Sequence, residues 1–77
     1  MQINYTDLKK KRVINLLDGR ELGTVTDIIF DFPEGKVIAF VCGDKRKIFK
    51  TDEYLVNLCC VNKIGDDTVL VSLKSAE

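Results

Sequence analysis

The sequence predicts an all-β domain, a small six-stranded antiparallel β-barrel with one or two short helical turns. Three observations carry that prediction. Val, Ile and Thr are abundant while Ala occurs only twice, a composition that suits pleated, half-buried surfaces better than helices. Asp-Gly, Pro-Glu-Gly, Gly-Asp and Asp-Asp signals punctuate the chain at intervals that fit strands. The loops are also short. Antiparallel hairpins can use such loops, whereas parallel pairing needs crossovers of about a dozen residues or more. Closing the sheet would remove its exposed edges.

The elements follow in order. A single helical turn is expected over residues 6–11, capped by Asn4 or Thr6, with Tyr5 and Leu8 packing on the sheet. A first strand over 13–17 stops at Asp18-Gly19, which tolerates positive φ, and a hairpin follows. The next stretch, 22–32, is the longest, but its apolar residues Leu22, Val25, Ile28, Phe30 and Phe32 change parity between Thr24 and Asp27. A bulge is expected there, with Gly23 as hinge. Pro33-Glu34-Gly35 then reads as a turn. Residues 36–42 are apolar on both faces, which marks a central strand, and Gly43-Asp44 breaks it. A short basic strand over 45–50 precedes a polar connector, Thr51-Asp52-Glu53, and a fifth strand over 54–58. Residues 59–65 are too irregular for strand alternation and read as a short helical turn. Asp66-Asp67 turns the chain into a last strand over 68–73.

Residues 1–77 read as one domain with its core over about 8–73 and a polar tail over 74–77. Val, Ile, Leu and Phe supply 27 of the 77 residues, enough for a folded core. So small a domain leaves little volume for an enclosed active site beside that core, and no enzyme is expected. Twelve basic residues balance twelve acidic ones, so any attraction to nucleic acid must be local. The absence of His removes the commonest general base and metal ligand. The N-terminus lacks a signal-peptide apolar segment and no apolar run approaches the roughly 20 residues that span a bilayer. The expectation is a cytoplasmic protein with no membrane insertion.

Several stretches together resemble a known family. They are Val13-Ile14-Asn15, the run from Asp18-Gly19-Arg20-Glu21-Leu22-Gly23 through Thr24-Val25-Thr26-Asp27, Phe30-Asp31, Gly35-Lys36-Val37, and Lys63-Ile64-Gly65-Asp66-Asp67-Thr68-Val69-Leu70-Val71. In this order they resemble the PRC-barrel domain, and within it the short stand-alone members of the YlmC/YmxH type, labelled sporulation proteins in spore-forming bacteria. The likeness runs from about Leu8 to Leu73. It implies a six-stranded antiparallel PRC-type barrel that serves as a docking surface, with no catalysis and no cofactor. Relatives commonly carry Pro-Trp at the end of the fifth strand, where this chain has Asn57-Leu58, and Pro-Gly after the third, where it has Cys42-Gly43. Leu58 is expected to fill the apolar site of the missing Trp.

Among candidate sites, Asp18, Gly19, Gly23, Asp31, Gly35 and Gly65 are read as structural turn residues. Asp18, Asp27 and Asp31 lie on separate turns and strand ends, so cap and turn chemistry explains them better than a cation. No metal site is expected, because a structural zinc site needs about four ligands and the chain offers Cys42, Cys59 and Cys60 without His. The odd thiol count also disfavours a disulfide framework, and packing is the favoured role. Lys45, Arg46, Lys47, Phe49 and Lys50 form the tentative partner-binding segment, four cations around an aromatic ring, with residues 9–12 as a second basic patch. The same cations would also protect an edge strand from self-association.

The leading reading is a non-catalytic adaptor that docks on an unidentified protein partner. A nucleic-acid or ribosome-associated module using the basic segment comes second, and a thiol-based sensor third. Because both faces of residues 36–42 are apolar, one face is expected outside the core, where it would serve a homodimer or another partner.

Overall fold

The computed structural model describes residues 2–44 and 53–74. A one-turn helix α1 (Tyr5–Leu8) is followed by strands β1 (Arg12–Asn15), β2 (Glu21–Asp31), β3 (Lys36–Gly43) and β4 (Glu53–Asn57). A 3₁₀ turn at Leu58–Cys60 leads to β5 (Val61–Ile64) and β6 (Thr68–Val71). Of the two expected caps, Asn4 takes the role: its side chain accepts the Asp7 N–H at 2.8 Å. The expected basic strand over 45–50 lies outside the described residues.

The strands form one six-stranded sheet in the order β4-β3-β2-β1-β6-β5. Four of its pairings are antiparallel, but β1 and β6 run parallel, with Arg12 opposite Thr68 and Asn15 opposite Val71. The wholly antiparallel expectation is therefore corrected. Its reasoning about crossover length holds for successive strands, whereas here almost the whole chain is the crossover between the first strand and the last.

The hydrogen-bonded ladder is open between β4 and β5 among the described residues, so a closed barrel is not what the strand pairing gives. Yet these two edges are joined only by Leu58–Cys60. Laid flat, five strand spacings would separate them by roughly 24 Å, while four residue steps reach about 14 Å at most. The sheet must therefore coil. Its concave side holds one core cluster of Val13, Leu22, Val25, Phe40, Cys42, Val56, Val69 and Val71, with Leu8 of α1 and Ile28 packed against it.

Bulges produce the coiling. Thr26 is the extra residue between the pairs Val25–Cys42 and Asp27–Val41, where the parity change had placed a bulge, and its hydroxyl donates to the Val41 carbonyl. Leu22 is extra between Val13–Gly23 and Ile14–Glu21. Next to it Gly23 has φ +96°, and a Cβ there would collide with the carbonyl of Gly43.

The first strand ends earlier than expected, and one strand was not expected at all. Leu16 and Leu17 belong to a turn and are exposed, because buried Asn15 ends β1. Its Nδ2 donates to the Leu73 carbonyl, while its Oδ1 accepts the N–H groups of Leu73 and Leu17. Residues 61–64, expected to be irregular, form β5. Asn62 is the extra residue between Val61–Val71 and Lys63–Leu70, so Val61 and Ile64 both pack on the core despite a spacing of three.

Candidate functional site

The turn residues occupy local structural roles. Gly19 (φ +73°) donates its N–H to the Asn15 carbonyl, and the Asp18 carboxylate accepts the Arg20 N–H at 2.9 Å. Asp31 lends its carbonyl to the N–H of Gly35 (φ +72°) at 2.7 Å, and Gly65 donates to the Thr68 carbonyl. Asp27 accepts the N–H of Ile28. Among the described residues no three Cys, Asp or Glu side chains converge in a way that could hold a metal ion.

The tentative partner-binding residues Lys45, Arg46, Lys47, Phe49 and Lys50 lie outside the described residues. The second basic patch is described, and its cations diverge. Lys11 Nζ donates to the carbonyls of Gly65 (2.7 Å) and Asp66 (2.6 Å), tying the start of β1 to the turn before β6. Lys9 sits over the Tyr5 ring at 5.6 Å, and Arg12 approaches Glu21 at 3.9 Å on the surface. Lys10 borders a cleft of about 440 Å³ that also takes in Asp7, Asp66 and Asp67, so the patch offers no one-sign field.

Cys42, Cys59 and Cys60 are free thiols. Cys42 is fully buried against β4, its Sγ 3.8 Å from the Tyr54 carbonyl, and burial pushes the thiol up to about 11. Cys60 is raised as well, first by partial burial and then by its neighbour Cys59. A sensor thiol is activated by the opposite shift.

What the structure does bring together is apolar. Exposure on β3 divides along the strand and not between its faces: Ala39, Phe40 and Cys42 are buried, while Val37 and Ile38 are half exposed. The expectation of one outward apolar face is corrected accordingly. The reason is strand length. β2 pairs with β1 only as far as Thr24, and β4 pairs with β3 only from Ala39 onward, so the far parts of β2 and β3 form a two-stranded arm. Ile38 is the extra residue between the pairs Ile29–Ala39 and Phe30–Val37, which sets Val37 opposite Phe30.

Phe30 and Phe32 stand with ring centroids 6.1 Å apart and are 53% and 76% exposed. Tyr5, with Asp27, Ile28 and Phe30, lines a shallow, largely apolar depression of about 350 Å³ beside the arm. Leu58, one step beyond the last β3–β4 pair, is 43% exposed on the other flank. It therefore fills no buried site in place of the Trp of relatives. At typical side-chain areas, Tyr5, Phe30, Phe32, Val37, Ile38 and Leu58 expose roughly 500 Å². That lies in the range of roughly 300–600 Å² reached by the largest patch on a monomer, which is often functional. The sequence carried a signal for it: Phe30-Asp31-Phe32-Pro33 places two aromatic rings beside a turn.

A coiled six-stranded sheet with a bulged second strand and a one-turn helix is the frame on which the chain can be compared with known proteins. The family model for the PRC-barrel domain matches residues 1–76. The chain belongs to the PRC-barrel family. It is also similar to the protein of Bacillus subtilis (strain 168) described as "Probable sporulation protein YlmC", at 31% identity over 75 residues, covering 92% of this chain and 93% of that one. In this PRC-barrel chain no helix among the described residues is long and apolar enough to cross a membrane.

Proposed function

We propose that this PRC-barrel chain is a cytoplasmic, non-catalytic docking module that works by surface complementarity. The surface in question is the apolar end formed by the β2–β3 arm, Tyr5 and Leu58. One observation carries the reading: exposed apolar side chains gather at the β2–β3 arm, where two aromatic rings with centroids 6.1 Å apart are each more than half exposed and Tyr5 adjoins Phe30. The name of the Bacillus relative supports a role in spore formation.

Affinity capture from a lysate of the native host tests this, comparing the wild type, F30S/F32S, and a variant with Lys45, Arg46, Lys47 and Lys50 changed to Glu. Each capture is run with and without nuclease. The docking reading expects a bound protein that survives nuclease and the charge reversal and is lost in F30S/F32S. Material lost on nuclease treatment or on charge reversal, and kept by F30S/F32S, would put nucleic-acid binding through the basic segment in its place.

A further inference from the structure

We infer that the occupant of this apolar end is a second copy of the same chain, an inference that rests on the docking reading and names its partner. Area is the first argument. A standard interface buries about 800 Å² per partner, of which roughly 57–65% is apolar, or about 450–520 Å². The roughly 500 Å² exposed by the six side chains matches one side of such an interface. Homodimer interfaces sit at the apolar end of that range, and this patch centres on the exposed Phe30 and Phe32 rings.

Charge is the second argument. Two copies with formal net charge +0 have no mutual field to overcome. The border of the patch carries both signs, with Asp31 opposite Lys36, Lys36 3.8 Å from Glu34, and Lys9 over Tyr5. A twofold axis through the arm sets such a border against itself with cations able to meet acids, as an isologous interface requires. A strongly acidic or basic partner would find no matching field. An anionic lipid surface would find no basic cluster here either, since Lys36 is offset by Asp31 and Glu34.

The arm itself is the third argument. At the pairs Phe30–Val37 and Asp31–Lys36 both strands extend past their outer neighbours, and two strands alone are marginal in water. Packing arm against arm covers Phe30 and Phe32 and supplies the missing layer.

Sedimentation equilibrium over a wide concentration range tests the inference on the full chain. The expected result is a reversible dimer, with F30S/F32S weakening association by about a hundredfold or more and the single variant F32D by at least about tenfold. L16S/L17S, which alters exposed apolar residues in the β1–β2 turn, should leave the dimer unchanged. Circular dichroism and thermal melting confirm that each variant is folded, and F32D alters the most exposed ring of the patch. A wild type that stays monomeric at every concentration, or a dimer indifferent to both Phe variants, overturns the inference. A monomer that still captures a Phe30- and Phe32-dependent partner from lysate overturns the second copy alone and leaves the docking reading standing.

Discussion

Gly23→Ala isolates the closest backbone approach in the sheet. Gly23 is opposite Val13 on one side, and its neighbour Thr24 is opposite Gly43 on the other. A Cβ built on Gly23 collides with the Gly43 carbonyl and lies 2.9 Å from the Asp44 nitrogen, all main-chain atoms that no rotamer change can clear. The φ of +96° adds strain of about 1–3 kcal/mol for any residue with a Cβ. Relieving the collision moves β3 away from β2 and opens core packing around Val25 and Cys42, adding at least another ~2 kcal/mol. The sum of roughly 3–5 kcal/mol compares with about 4–12 kcal/mol of total stability for a chain of this length. A melting temperature lowered by about 12 °C or more is expected, since 1 kcal/mol shifts a domain of this size by about 4–8 °C. Gly19→Ala is the control: its φ is +73°, but nothing lies within 4 Å of the added methyl, so strain alone should cost about 1–2 kcal/mol. Paired urea and thermal melts decide the matter, and equal losses in the two variants would refute the close-approach argument.

Asn15→Ala should destabilise by about 2–4 kcal/mol in urea titrations, because it strands the Leu73 amide and carbonyl and the Leu17 amide. Lys11→Met should cost about 1–2 kcal/mol by leaving two carbonyls without their donor, seen as a lower urea midpoint at unchanged slope, while Lys10→Met should be near neutral. Cys42 binds its proton more tightly when folded, at about 11 against 9.0. Its contribution is therefore full below pH 9 and lost as pH rises from 9 to 11, by about 2–3 kcal/mol. Denaturation curves across that window should show the loss in the wild type and a smaller one in Cys42→Val.

Much of the architecture was legible where a local signal carried it. The parity change between Thr24 and Asp27 located the Thr26 bulge, and doubly apolar β3 is indeed an interior strand. The failures have physical causes. β5 was invisible because the Asn62 bulge sets Val61 and Ile64 three apart, erasing the period of two. Leu16 and Leu17 looked like strand because nothing local reveals that Asn15 bonds to Leu73, 58 positions away. The parallel β1–β6 pairing joins the two ends of the chain, and no loop length records it. As for the candidate surface, only one face of residues 36–42 was expected outside the core, because sequence shows which residues are apolar but not where neighbouring strands stop.

The coiling of the sheet and the exposure of its apolar end share a cause. Each bulge adds a residue to one strand, increases local twist and resets which side chains face inward. At Leu22 and Thr26 the reset brings Leu22 and Val25 into the core and curls the sheet until three residues can join its edges. At Ile38 the same device acts where β1 and β4 no longer flank the pair, and Val37 and Ile38 there meet solvent. Were β4 extended to pair as far as Lys36, Val37 and Ile38 would become core and the end would close. Ending it at Asn57 and turning directly through Leu58 leaves Val37 and Ile38 half exposed.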